Sequence, residues 1–135
     1  MVYLDTNVLV YASVEQDIEK RNRSLALLEK LISKKQLLLS TLTLQEFVFT
    51  MAKLKIDNKI IKQDSDYYFS FVNVEQDYFT LRQAIELCCD KDQCKNINDV
   101  MHILLAQKAK CKKLITFDGD FRKLDGVNGV KVEIL

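Results

Sequence analysis

The chain has 135 residues, is 48% hydrophobic and carries a formal net charge of +1. That length suits a single domain spanning residues 1–135, and the apolar content supplies a sizeable core and excludes disorder. The balanced charge excludes the basic footprint of a DNA-wrapping protein, although acids gathered in one site would leave the rest of the surface basic.

Val2, Tyr3 and Leu4 form an apolar run too short for anything but a buried strand, and the run stops at Asp5. Helical spacing begins at Thr6 and reaches Ala12, so Asp5 stands between a strand end and a helix start. A carboxylate there either caps the helix or holds a metal ion together with the carboxamide of Asn7. The second role fits the carboxyl end of an open α/β sheet, where ligands gather. The run has no basic leader and is too short to cross a bilayer, so no membrane span is read and a cytoplasmic location is expected.

From Asp17 to Lys35, Leu25, Leu28, Leu31 and Ile32 recur among charges, as in an amphipathic helix. Leu37 to Ser40 reads as a short buried strand. Leu42 to Lys55 returns to helix, with Leu44, Phe47, Val48 and Met51 on one face. Ile56 to Tyr68 predicts a shorter helix, broken at Asp57-Asn58 and Asp64-Ser65-Asp66, and Phe71 to Val74 a third strand. Tyr78 to Cys89 is helical, Asp90 to Asn96 a polar loop, and Ile97 to Ala109 a buried helix, being apolar nearly all round. Leu114 to Thr116 and Val130 to Ile134 complete five strands, the last near an edge. Strands alternating with helices predict an α/β fold with a mainly parallel sheet covered on both faces. Cys88, Cys89, Cys94 and Cys111 lie in or beside helical patterns with no CxxC pair, which favours buried reduced thiols over a zinc site.

Three acids fall at the same end of this sheet. Asp5 follows the first strand, Glu46 lies about a turn into the helix after the second, and Asp118 follows the fourth. Asp99 is the conspicuous charge at the start of the buried helix. Each has a structural excuse: Thr43 to Glu46 matches a capping box, Asn98 or Asp99 would cap its helix, and Asp118-Gly119 would make a turn. The excuses do not explain the coincidence. Carboxylates about 4 Å apart repel by on the order of 4 kcal/mol per pair at an effective dielectric of 20, and no lysine run is placed to cancel this. A hard divalent cation would, and oxygen-only ligands point to Mg²⁺, with Mn²⁺ as the variant. Such a site activates water and screens a phosphodiester, which is nuclease chemistry.

Four stretches carry a family likeness: Leu4 to Val8, Ser40 to Phe47, Asn98 to His102, and Thr116 to Phe121. In order and spacing they resemble PIN-domain ribonucleases, and in particular the toxin subunits of VapBC toxin–antitoxin modules, over essentially the whole chain. The resemblance implies a PIN-like three-layer α/β/α fold and makes Asp5, Glu46, Asp99 and Asp118 the catalytic, metal-holding quartet. It makes Thr6, Asn7 and Thr116 supporting groups, with a secondary role open for Asp120. It further implies a Mg²⁺-dependent endoribonuclease acting on RNA, a small VapB-like antitoxin as partner, and a homodimer. The aromatic residues Phe47, Phe49, Tyr67, Tyr68 and Phe69 exceed what one small core needs and support an interface there. His102 is read as a packed or hydrogen-bonded helix histidine rather than a ligand.

Within the last stretch Asp118 shares a strand face with Thr116, whereas Asp120, freed by Gly119, is expected to cap Phe121 to Lys123 above a buried Phe121. The rival readings differ in class. A haloacid-dehalogenase-type phosphatase also opens on a strand ending in Asp, but needs a second Asp where Asn7 stands. Receiver domains need a pair of early acids, and here they are single. A PIN-like module that binds RNA or protein without cutting is the other alternative.

Overall fold

The computed structural model describes residues 1–135. The apolar runs become strands β1 (Val2–Leu4), β2 (Leu37–Ser40), β3 (Val72–Val74), β4 (Lys113–Thr116) and β5 (Lys131–Ile134). All pair parallel, in the order β3-β2-β1-β4-β5. The intervening segments are helices α1 (Thr6–Ser13), α2 (Ile18–Ser33), α3 (Thr41–Lys53), α4 (Asn58–Phe69), α5 (Tyr78–Asp90) and α6 (Ile97–Lys108).

The pleat divides each strand between two cores. Tyr3, Leu38, Leu114 and Val132 join Ala84, Cys88 and the buried face of α6 on one side. Leu4, Leu37, Leu39 and Ile115 meet Val8, Leu28, Phe47 and Ile61 of the first four helices on the other. Both faces are covered, giving the α/β/α layering. This is why the strands read as unbroken apolar runs rather than alternating ones. β1 lies at the centre with β2 on one flank and β4 on the other. The chain turns away from β1 toward β2, leaving a crevice at the carboxyl ends of β1 and β4 where ligands bind in folds of this type.

Three expectations need correction. α4 runs unbroken through Asp64-Ser65-Asp66, because Ile61 and Tyr68 are buried two turns apart and Lys62 pairs with Asp66 at 2.8 Å on the exposed side. Helical burial outweighs the weak propensity of three polar residues. The polar loop after α5 contains a 3₁₀ turn at Cys94–Asn96, and two more 3₁₀ segments, Gly119–Leu124 and Val127–Gly129, join β4 to β5. Of the four free cysteines, Cys88 and Cys111 are buried as expected, but Cys89 and Cys94 are exposed. No helix is long and apolar enough to cross a membrane.

Candidate metal centre

Asp5 continues β1 by one ladder step, its N–H donating to the Ile115 carbonyl at 3.0 Å, before the chain turns into α1. Its carboxylate is 7% exposed and spoken for at both oxygens. Oδ1 accepts from the Thr6 N–H and Oδ2 from the Thr116 hydroxyl, each at 2.7 Å. The one side chain thus caps α1 and ties it to the end of β4. The Thr116 hydroxyl also accepts from Asn7 Nδ2 at 3.0 Å and from the Asp118 N–H at 2.9 Å. Asn7 Oδ1 in turn accepts from the Phe117 N–H at 3.1 Å. These bonds tie the start of α1 to the end of β4 and set the spacing between Asp5 and Asp118.

Glu46 projects from α3. The capping box expected at Thr43 to Glu46 is displaced: Ser40 caps the helix, its hydroxyl accepting from the Thr43 N–H at 3.0 Å. Helix begins directly at the end of β2, so Glu46 falls beyond the first turn, where no backbone N–H needs it. Its Oε1 instead accepts from the Thr6 hydroxyl at 3.3 Å and from His102 Nε2. His102 is 1% exposed and matches the reading of a hydrogen-bonded helix histidine, with its Nδ1 2.7 Å from the Tyr3 hydroxyl. Its partners draw it into the site, since Nε2 also lies 3.6 Å from Asp5 Oδ1. The Tyr3 hydroxyl reaches Ser40 Oγ at 2.6 Å, and Thr43 donates to it at 3.3 Å. Sequence reasoning gave Tyr3, Ser40 and Thr43 no part in supporting the site and read Thr43 only as a helix cap. The available signal was a tyrosine inside a buried strand, whose hydroxyl must find a partner.

Asp99 is the third residue of α6 and caps nothing; neither does Asn98, because the cap position belongs to Asn96, which makes no side-chain cap bond. Asp118 caps the 3₁₀ segment at Gly119–Leu124, accepting from the Asp120 N–H at 2.9 Å. This corrects the expectation for Asp120. That residue lies inside the segment with its side chain exposed, because Asp118 already satisfies the free amide. Phe121 is buried below, as expected, at 1% exposure.

Asp5, Thr6, Asn7, Glu46, Asp99 and Asp118 line one cleft of about 300 Å³ at the carboxyl end of the sheet. Burial pushes the Asp5 carboxyl up, against the His102 charge and the bonds from Thr116 and Thr6. Burial also pushes Asp99 up to about 6, aided by the charges of Asp5, Asp118 and Glu46. For His102 burial works against the charged form, yet Tyr3, the Glu46 bond and the two carboxylates outweigh it and hold the imidazole well above its usual range. No lysine run is expected to offset the acids, and the charge that answers Asp5 and Glu46 comes instead from His102. No ion pair reaches Asp99 or Asp118, and the His102 charge offsets only part of what burial and the neighbouring acids do to Asp99. Oxygen donors with uncompensated negative charge in a cleft of this size fit a hard divalent cation. Aromatic and basic groups stand at the rim. Tyr11 lines the cleft and packs edge-on against Phe117 at 5.1 Å. Lys20 lies 4.8 Å over the Tyr11 ring, and Arg23 lies 6.0 Å over Phe117.

A model of the PIN domain family matches residues 2–127. No functionally curated protein matches the sequence. Among solved structures, the chain is similar to VapC20 of Mycobacterium tuberculosis, described as a sarcin–ricin-loop-cleaving toxin. The TM-score is 0.73 at 16% identity, over 92% of this chain and 95% of that one. It is also similar to VapBC2 of Rickettsia felis, solved bound to a DNA fragment from its promoter. There the TM-score is 0.67 at 20% identity, over 100% of this chain and 99% of the other. At these identities the likeness is one of fold.

Proposed function

The chain belongs to the PIN-domain family, and on that premise we propose that it is a metal-dependent endoribonuclease, the toxin of a toxin–antitoxin pair. The observation that carries this reading is the convergence of Asp5, Glu46, Asp99 and Asp118, from four separate segments of the chain, on one cleft. Asp5 and Glu46 hold the inner side of the site, oriented by Thr116, Thr6 and His102. Asp99 and Asp118 supply the outer carboxylates, and Asn7 fixes the distance between the two halves. Mg²⁺ held by these four, or Mn²⁺ in its place, supplies Lewis acidity toward the phosphate and an activated water.

The substrate is RNA in a single-stranded or looped form, because unstacked nucleotides let a phosphate enter a recessed site. The sarcin–ricin-loop activity described for VapC20 supports a looped target. Lys20 and Arg23 at the rim suit the flanking phosphates, and the half-buried Tyr11–Phe117 pair beside them offers aromatic surface to a base. Partners are a VapB-like antitoxin, supported by VapBC2, and a second copy of the chain. The aromatics expected at an interface divide: Phe47 and Tyr68 are core, whereas Phe49, Tyr67 and Phe69 are 64%, 55% and 63% exposed. Only the last three are available to a partner.

The test is purified protein with mixed cellular RNA, in Mg²⁺ and in EDTA. Cleavage in Mg²⁺ alone, lost in Asp99→Asn, supports the proposal. RNA binding without cleavage makes the chain a non-catalytic module, and hydrolysis of small phosphomonoesters without RNA cleavage makes it a phosphatase.

A further inference from the structure

Three thiols meet where α5 ends, and none of them lines the acidic cleft. Cys88 and Cys89 lie in the last turn of the helix, and Cys94 opens the 3₁₀ turn that leads into α6. Their sulfurs all lie within 4.8 Å of one another. Cys94 Sγ is 3.5 Å from Cys89 Sγ and 3.7 Å from Cys88 Sγ. Consecutive residues on a helix point about 100° apart, so the first two thiols do not converge by themselves. The connection brings the third between them. Asp92 takes a left-handed φ of 54°, and the Gln93 N–H closes onto the Cys88 carbonyl at 2.7 Å.

Core packing accounts for Cys88, which is buried, but not for Cys89 and Cys94, which are exposed. Bonds of ~2.3 Å from zinc to sulfur at the tetrahedral angle hold ligand sulfurs about 3.8 Å apart. The two short separations therefore match two edges of a zinc–thiolate tetrahedron. The thiols sit at the carboxyl end of the α5 dipole, whose negative potential favours a cation.

We infer that Cys88, Cys89 and Cys94 form a second metal site, specific for a thiophilic divalent cation of the zinc class, with water in the fourth position. On binding, each S–H gives its proton to solvent and each resulting thiolate donates a lone pair to the metal; no oxidation state changes. Sulfur donors here and oxygen donors in the cleft sort the cations between the two sites. A bound ion fastens the α5–α6 connection to the end of α5, and with it the first turn of α6, where Asp99 sits.

The test uses the full chain, reduced with a phosphine, titrated with Co²⁺ as a spectroscopic probe. The expected result is intense sulfur-to-metal charge-transfer absorption that saturates at one equivalent and is displaced by Zn²⁺. Cys89→Ser and Cys94→Ser, both at exposed positions, should abolish it; Cys111→Ser and Asp5→Asn should retain it. Zn²⁺ should raise the thermal midpoint of the wild type and not that of Cys94→Ser. Only the weak bands of oxygen-bound cobalt, or charge-transfer absorption that survives in Cys94→Ser, would overturn the site.

Discussion

Asp5 caps α1 and faces the cleft with the same two oxygens, so its substitution separates chemistry from folding. In Asp5→Asn one amide oxygen remains to accept from either Thr6 or Thr116, and the NH₂ is mismatched to the other. One lost hydrogen bond costs about 1 kcal/mol, while removal of a buried charge beside Glu46 gives part of that back. We expect cleavage to disappear with the folding free energy lowered by ~1 kcal/mol or less, measured by urea unfolding. A large loss of stability with cleavage retained would leave Asp5 a cap and nothing more. The pair Asp118 and Asp120 divides more sharply. Asp118→Asn keeps an oxygen for the Asp120 N–H but loses its charge in the cleft, so Mg²⁺ affinity and cleavage should fall with stability held. Asp120→Asn, at an exposed side chain that caps nothing, should leave both within experimental error. Greater damage to cleavage from Asp120→Asn would reverse the assignment. The sequence made these acids legible because each follows a strand or opens a helix. The groups that orient them were not, because the Tyr3–His102 bond joins residues 99 apart and no local pattern encodes it.

Elements were more legible than their ends. Every strand and helix rests on an apolar period strong enough to read, and α6 stood out because it is buried nearly all round. The capping box at Thr43 misled because Thr and Glu three apart occur in helix interiors as well as at starts. What decides is where β2 stops, and Ser40, the last strand residue, already turns its hydroxyl to the Thr43 N–H. That hydroxyl also lies 2.6 Å from the Tyr3 phenol, joining the cap of α3 to the support beneath His102. Ser40→Ala should therefore cost about 2 kcal/mol, a lost cap plus a lost buried partner, seen as a lower urea midpoint at unchanged slope. It should also reduce cleavage without abolishing it, since Tyr3 keeps Thr43 and His102. An unchanged midpoint would show that the cap is dispensable and the β2–α3 junction is held by packing alone. The continuity of α4 through Asp64-Ser65-Asp66 and the 3₁₀ segments escaped the sequence for the same reason: both depend on which side chains the fold buries.

At the scale of the whole molecule, the site is a set of buried, crowded carboxyls that the rest of the fold tolerates, and its protons report first the burial and then the crowding. Asp99 titrates near 6, and Asp5 is shifted upward in the same direction. Above the ordinary carboxylate range and up to about pH 6, the metal-free folded chain thus holds protons that the unfolded chain has released. Stability must fall as pH rises through that window. His102 acts with the same sign higher up. Its raised folded value contributes stability that is complete below the unfolded imidazole range and is lost as pH rises through the folded value. Asp77, held low by Lys108 and by Thr80, opposes them, but its contribution disappears only as pH falls below the ordinary carboxylate range. In EDTA the thermal midpoint should therefore decline from mildly acidic to mildly alkaline pH. Asp99 accounts for on the order of 1 kcal/mol of that decline, once solvent screening of a half-exposed group is allowed for. Mg²⁺ supplies the charge that the protons supplied, so adding it should raise the midpoint most at the alkaline end and flatten the profile. Asp99→Asn should flatten the EDTA profile by itself and reduce the response to Mg²⁺. A metal-free midpoint that climbs between about pH 5 and pH 7 would mean that the carboxylates are neither desolvated nor crowded, and the case for a cation in the cleft would fall with it.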